Sequence, residues 1–158
     1  MHPHAQWVEK FYSAFQKRDA AAMADCYAPG ATFSDPVFLN LKDKEISAMW
    51  RMLCERGKDL SIEFNILDAD DRSIKAHWDA VYTFSATGRR VRNSIDAYFE
   101  FKNGKIILHR DSFNLWKWTR MALGFKGWLL GWSPLVQNVV RKQARKSLEK
   151  YIEHERIS

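Results

Sequence analysis

Apolar residues recur four apart at Trp7, Phe11 and Phe15, with Val8 and Ala14 widening the same face, and this spacing predicts an opening helix. Asp19 stands where it can cap a second short helix, AAAMADCYA, which Pro29-Gly30 ends. The stretch ATFSDPVF, residues 31–38, then turns β-like, with Asp35 interrupting a run of strand-forming and apolar residues. After it, Asp43 is placed to cap KEISAMWRMLCERG, where Ile46, Met49, Trp50 and Leu53 share a stripe and Gly57 is the stop.

From Leu60 the period shortens to two. LSIEFNIL alternates apolar and polar, and DADD is its turn. SIKAHWDAVYTFSA, VRNSIDAYFEF and KIILHRDSFNLWKW follow as strands, joined at Thr87-Gly88-Arg89 and by the Asn103-Gly104 hairpin signal. Four strands on tight turns imply an antiparallel meander, and three helices before a curled meander imply an α+β domain whose sheet wraps a helix. The stretch WKWTRMALGFKGWLLGWSPL differs in character, with four tryptophans and three glycines. A helix is predicted after it, from about residue 134 to 155, with Val136, Val140, Leu148, Tyr151 and Ile152 on its apolar side. No linker or internal repeat divides the chain, so one domain is expected over 1–158: a core of about 5–117 and a C-terminal helical extension of about 118–158.

Composition narrows this picture little. The apolar share of 46% is that of a folded globular chain rather than a disordered one. Ten Phe, seven Trp and five Tyr suit either a deep core or a pocket for a hydrophobic ligand. Cys26 and Cys54 fall in helix-like stretches without metal or disulfide spacing, and the start MHPHAQWVEK has no secretory pattern. A reduced, cytoplasmic protein is the expectation. The net charge of +6 gathers late, at Arg141, Lys142, Arg145, Lys146 and Lys150, and is read as a solvated helix face rather than a nucleic-acid surface. No phosphate-binding glycine loop, nucleophile motif or metal-ligand cluster is present, so no cofactor or metal is expected.

The order helix–helix–strand–helix followed by a meander resembles the NTF2-like, or SnoaL-like, superfamily over roughly residues 5 to 117. That resemblance implies a cone-shaped α+β fold, with the N-terminal helices packed in the concave face of a curved, mainly antiparallel sheet. It also implies a homodimer. In detail, FYSAFQKRDAAAMADCYAPGATFSDPV and SIDAYFEFKNGKI look most like ketosteroid isomerase. On that match Asp35 stands at the general base and Asp96 at the protonated hydrogen-bond donor. The isomerase's first-helix tyrosine falls at Phe11. Tyr12 is next to it, about 100° further round the helix and so expected to point elsewhere.

Each candidate has a plain structural reading beside the chemical one. Asp35 is either a turn residue closing an Asx-turn or a carboxylate that Phe33, Val37 and Phe38 desolvate into a useful base, with Pro36 holding it extended. Asp96 shares a face with Ser94 and Tyr98; it is either a pocket donor or a surface acid paired with Arg92. His109 and Asp111, two apart, form either a proton-transfer pair beside Phe113 or a salt-bridged pair on the convex face. Trp50, Trp78, Tyr82, Phe84, Tyr98 and Phe113 are core residues or ligand-lining rings.

His77 and Asp79 oppose Trp78, Ala80, Tyr82 and Phe84 and are expected outside, as is Arg110. The tryptophan-rich segment covers the pocket mouth, packs in a dimer interface, or lies on a membrane surface. The function classes in play are an acid–base isomerase or cyclase acting on a hydrophobic carbonyl compound, a ligand-binding or scaffold module, and an epoxide hydrolase.

Overall fold

The computed structural model describes residues 1–158. Three helices come first in the chain's N-terminal half: α1 (Pro3–Gln16), α2 (Ala20–Ala24) and α3 (Lys44–Arg56). Strands β1 (Tyr27–Ser34) and β2 (Leu41–Lys42) lie between α2 and α3. The meander follows as β3 (Ser61–Ala69), β4 (Ser73–Phe84), β5 (Arg89–Lys102) and β6 (Lys105–Ser112), and the chain ends in α4 (Leu115–Leu123), α5 (Phe125–Leu130) and α6 (Pro134–Ile157). The six strands form one sheet in the order β2-β1-β6-β5-β4-β3. All pairings are antiparallel except β1 with β6, which is parallel. The architecture is the α+β cone expected from the sequence.

Local chemistry explains most boundaries. Asp19 caps α2 by accepting from the Ala22 N–H at 3.0 Å. Pro29-Gly30 does not terminate α2, which ends at Ala24; instead it sits inside β1, where Gly30 takes a positive φ of 81°. The register between β1 and β6 shifts there, between Tyr27 and Thr32. Asp43 holds the N-cap position of α3 but makes no cap bond. Its carboxylate turns back to accept from the Gly30 N–H at 2.7 Å, stitching the start of α3 to β1. The final strand stops at Ser112, earlier than its apolar run suggested. Asn114 then caps α4 by accepting from the Lys117 N–H at 3.0 Å, so LWKWTRMAL is helix.

The core forms because α1 is enclosed. Val8, Phe11, Tyr12 and Phe15 are all buried, a stripe wide enough to hold two residues 100° apart. The sheet's concave face meets them with Ile74, Ala76, Trp78 and Ala80 of β4 and with Ile95, Ala97 and Phe99 of β5. Phe11 is the hub. Its ring makes edge contacts with Tyr27, Trp50, Phe99 and His109, centroids 5.6–6.0 Å apart.

Leu148 of α6 joins this core, and α6 is clamped to α3 by a bidentate Arg51–Glu155 pair, both bonds 2.8 Å. A second, smaller apolar cluster, Val91, Leu115, Trp118 and Ala122, fastens α4 over the open end of the sheet. Both cysteines are buried and free. Truncating Phe11 to Ala should cost roughly 3–5 kcal/mol and lower Tm by about 10 °C. Calorimetric loss of less than about 1 kcal/mol would show that Phe11 is not the hub of this packing.

Candidate active site

The site begins with parallel register. β1 and β6 pair Phe33 with His109 and Ser34 with Arg110, so the next positions along both strands are Asp35 and Asp111. Phe33 and His109 point into the cone, and alternation puts Asp111 on that same face, while Asp35 is the first residue beyond β1, in the turn that follows it.

His109 is buried among rings, with centroids of Phe99 at 4.2 Å and Phe33 at 4.9 Å. Its two nitrogens are both engaged: Nδ1 lies 2.7 Å from the Tyr27 hydroxyl and Nε2 lies 2.8 Å from Asp111 Oδ1. The Trp50 indole N–H donates to the same Tyr27 oxygen at 3.1 Å. A carboxylate can only accept, so Nε2–H is the donor to Asp111. With one proton on the ring, Nδ1 accepts and the Tyr27 hydroxyl is its donor. The chain therefore runs one way, Trp50 to Tyr27 to His109 to Asp111, and fixes the imidazole's tautomer and orientation. Burial raises the Tyr27 hydroxyl well above its ordinary pKa, which keeps it a neutral donor.

Asp35 satisfies both of its sequence readings. Its Oδ1 accepts from the Val37 N–H at 2.7 Å and the Phe38 N–H at 2.6 Å, an Asx-turn, while its own N–H donates to the Phe38 carbonyl at 2.8 Å. The residue keeps an exposed edge, yet protein atoms close around its carboxyl. Burial, and secondarily the charge of Asp111, push its pKa up to about 7, against the lowering effect of the two backbone bonds. The turn itself is pinned from outside, where Arg141 Nε of α6 donates to the Pro36 carbonyl at 2.8 Å. Tyr82, on the concave side of β4, feels the charge of Asp35, and its hydroxyl accepts from the Trp118 N–H of α4 at 2.8 Å. The Trp118 bond thus ties α4 to the Tyr82 side of the site.

The expected set divides by strand parity. Asp35, His109 and Asp111 come together. Trp50, Trp78, Tyr82, Phe84 and Phe113 lie inside or under α4, Phe84 with its ring 5.2 Å from that of Trp118. Asp96 and Tyr98 do not join them. The concave positions of β5 are Val91, Asn93, Ile95, Ala97 and Phe99, so the inward neighbour of Asp96 is Ala97, and Asp96 projects outward. There it pairs with His77 at 2.8 Å rather than with Arg92. His77 also lies 3.5 Å from Asp79, and these acids raise its pKa. Tyr98 is on the same outer face and donates to Glu100 Oε1 at 2.8 Å. Arg110 is exposed on the outer side of β6.

Two inward polar residues, Tyr12 and Asn93, escaped sequence reasoning. Tyr12 is fully buried, and its hydroxyl and the Trp78 indole N–H are the two buried side-chain polar atoms without a hydrogen-bond partner. Burial first, and then the charge of Asp111, raise the Tyr12 hydroxyl well above its usual pKa. Tyr12 is buried because the buried stripe of α1 is wider than the 100° that separates it from Phe11, and its ring stacks on Phe64 with centroids 5.0 Å apart. Asn93 is buried at a concave position of β5; its only signal was a polar residue on the parity of Val91 and Ile95. No three His, Cys, Asp or Glu side chains converge in a way that could hold a metal ion. The arrangement offers a base that titrates near neutrality, a fixed acid–imidazole partner beside it, and buried neutral donors.

Residues 8–109 match the family model described as the SnoaL-like domain. Solved structures give the same fold. A polyketide cyclase candidate from Silicibacter sp. TM1040 superposes with a TM-score of 0.66 at 16% identity, covering 75% of this chain and 94% of its own. An LEH-like epoxide hydrolase from M. tuberculosis gives 0.59 at 22% identity, covering 85% and 95%. An isomerase candidate from Bacillus subtilis gives 0.62 at 17%, covering 77% and 93%. At these identities the likeness is one of fold. No curated protein matches the chain.

The raised pKa of Asp35 makes stability depend on pH in a defined sense. The native state holds the proton more tightly than the unfolded chain, so this contribution is complete below the ordinary value of 3.8 and is lost as pH rises through about 7. In Asp35→Asn the amide oxygen can keep the turn while the charge is gone. Denaturant titrations at about pH 5 and about pH 8 should show the variant gaining on the parent by roughly 1–2 kcal/mol at the higher pH, after allowance for solvent at the exposed edge. Equal differences at both pH values would refute the raised pKa.

Proposed function

The chain belongs to the SnoaL-like domain family, and we propose that it is an acid–base enzyme of the isomerase or cyclase kind, acting on a hydrophobic carbonyl compound. The observation that carries this reading is Asp35 held just beyond the end of β1, beside the strand that bears Asp111, where burial first and the charge of Asp111 second push its pKa up to about 7. A base with that pKa exists in useful amounts in both protonation states at neutral pH. Oδ1 of Asp35 is committed to the Val37 and Phe38 N–H groups, so Oδ2 is the oxygen that takes the proton alpha to the substrate carbonyl.

Negative charge then develops on the carbonyl oxygen and needs donors that are already in place. Tyr12 and Trp78 supply buried O–H and N–H groups that lack any acceptor within the chain. An unpaired buried donor is costly, and a ligand oxygen would relieve it. Tyr82, with its oxygen already accepting from Trp118, keeps its own hydrogen for the substrate. These residues take the donor role that the family resemblance assigned to Asp96. His109 positions Asp111, whose charge holds up the pKa of Asp35, so His109 is a positioning residue. The surrounding rings of Trp50, Phe84 and Phe113 favour an apolar substrate over a sugar phosphate.

One observation favours a second reading, a binding module without chemistry. The Asx-turn gives Asp35 a sufficient structural purpose. Epoxide opening would use the same carboxylate pair but also an arginine at the water. Arg110 faces outward, and Arg141 reaches the Pro36 carbonyl, so that reading is weaker. A homodimer and a cytoplasmic location, expected from the sequence, belong to the same proposal.

Exchange of alpha protons in deuterated buffer, followed by mass spectrometry on a panel of apolar ketones, tests the enzyme reading. Asp35→Asn should lower exchange by about 10²–10⁴-fold while Tm at neutral pH is kept. Full exchange by a folded Asn variant would remove Asp35 as the base. Tight ligand binding with no exchange by the parent would select the binding module. Tyr12→Phe should cost roughly tenfold or more in kcat with little change in KM. A change confined to KM would show that Tyr12 only binds the ligand.

A further inference from the structure

The helical extension has two sides. Its inner side packs on the domain through Leu115, Trp118 and Ala122. Its outer side is apolar and uncovered: Phe125 is 72% exposed, Trp128 52%, Leu130 53%, Trp132 64% and Leu135 75%. These residues come from one continuous stretch, α5 and the start of α6. Their outward aim is built into the backbone. Gly127 and Gly131, four apart, lie directly on Thr119 of α4, where a Cβ on either glycine would collide with the Thr119 carbonyl or hydroxyl. With the two glycines taking the inner side, the large side chains between and around them have only the outside.

Charge is distributed to match. Residues 112–148 contain seven Lys and Arg and no Asp or Glu, while the rest of the chain carries 18 basic and 19 acidic residues. The whole positive surplus therefore lies on the extension. Four of the cations that border the apolar set, Arg89, Arg90, Lys117 and Arg120, line one cleft of about 460 Å³ with Phe125 and Trp128, and no acid lines it. Arg120 stacks on Trp116 at 5.2 Å, and only Arg90 has an acidic partner, Asp59 at 3.4 Å.

We propose that the outer side of α5 and the start of α6 docks on an anionic lipid bilayer, with Trp128, Leu130 and Trp132 entering the interface and the surrounding cations meeting lipid phosphates. Tryptophan beside leucine, ringed by Lys and Arg, is the chemistry of an interfacial helix. No helix is long and apolar enough to cross a membrane, so the contact is peripheral. A second copy of the chain suits the face poorly, because it would bring two acid-free basic segments together. A nucleic acid would use the cations and the rings but not the exposed leucines.

The test is sedimentation of the full chain with vesicles made of equal parts phosphatidylcholine and phosphatidylglycerol, beside vesicles of phosphatidylcholine alone. The parent should bind the mixed vesicles at least about tenfold more tightly, with weakening as salt rises. Trp128→Ser with Trp132→Ser should lower that affinity about tenfold at unchanged Tm, and Lys117→Gln with Lys126→Gln should do so only on the mixed vesicles. Failure of the parent to bind mixed vesicles overturns the proposal, as does equal binding by the double serine variant. A dimer mass for the parent that the serine variant loses, without vesicle binding, would make a second copy the occupant and equally overturn it.

Discussion

The parallel pairing of β1 with β6 constrains everything else, because these are the first and last strands of the sheet in chain order and every other pairing is antiparallel. A parallel pair cannot be closed by a hairpin, so α3 and the whole meander must travel between the two strands. That path carries the sheet around α1 and fills the cone with Phe11, Tyr12, Trp50 and Phe99. The same pairing sets Phe33 against His109 and leaves Asp35 and Asp111 side by side at the strand ends. The fold's one exception to antiparallel geometry is thus what brings two carboxylates together. Burial of the Asp35 carboxyl, and secondarily the charge of Asp111, is the origin of the titration near neutrality.

A buried imidazole–carboxylate pair contributes little net stability, because removing both groups from water costs as much as their attraction returns. Its worth lies in geometry. Trp50, Tyr27, His109 and Asp111 have a single consistent direction of hydrogen bonding, and each ring is held by aromatic neighbours that allow few alternatives. Asp111 is therefore kept in one orientation next to Asp35. A looser acid would find other partners and relax the shift it imposes. The apolar core and the polar relay are consequently one device, with rings supplying rigidity and low polarity and the relay supplying a fixed charge.

Much of this was legible in the sequence because the code is periodic. Alternation of period two identified β3 to β6 and put His109 with Asp111, and spacing of 3.6 identified α1 and α3. The failures occurred where periodicity says nothing. Asp96 was placed by a short motif, and a shift of a single residue exchanges it for Ala97 and turns it to solvent. Tyr12 was excluded by an angle that assumed a narrow buried stripe, whereas a helix surrounded by a curved sheet buries a broad one. Asn93 carried no motif at all. The α4–α5 turn was obscured because Trp116 and Trp118 read as the end of the last strand, and the seat of Gly127 and Gly131 is plain only once Thr119 is seen beneath them. Asp35 is the instructive case, since its structural and chemical readings proved compatible: one oxygen closes the turn and the other is left over.

The extension ties these levels together. It is joined to the site by the bond of Trp118 to Tyr82 and that of Arg141 to the Pro36 carbonyl, both on elements that touch Asp35. A shift of α4 would break the Trp118 bond and open the small apolar cluster of Val91 and Leu115. That cluster is not independent of the main core, because Val37, Tyr82 and Phe113 pack against both. The extension is thus fastened to the domain by apolar side chains on one side, while Phe125, Trp128 and Trp132 leave the other side apolar and exposed.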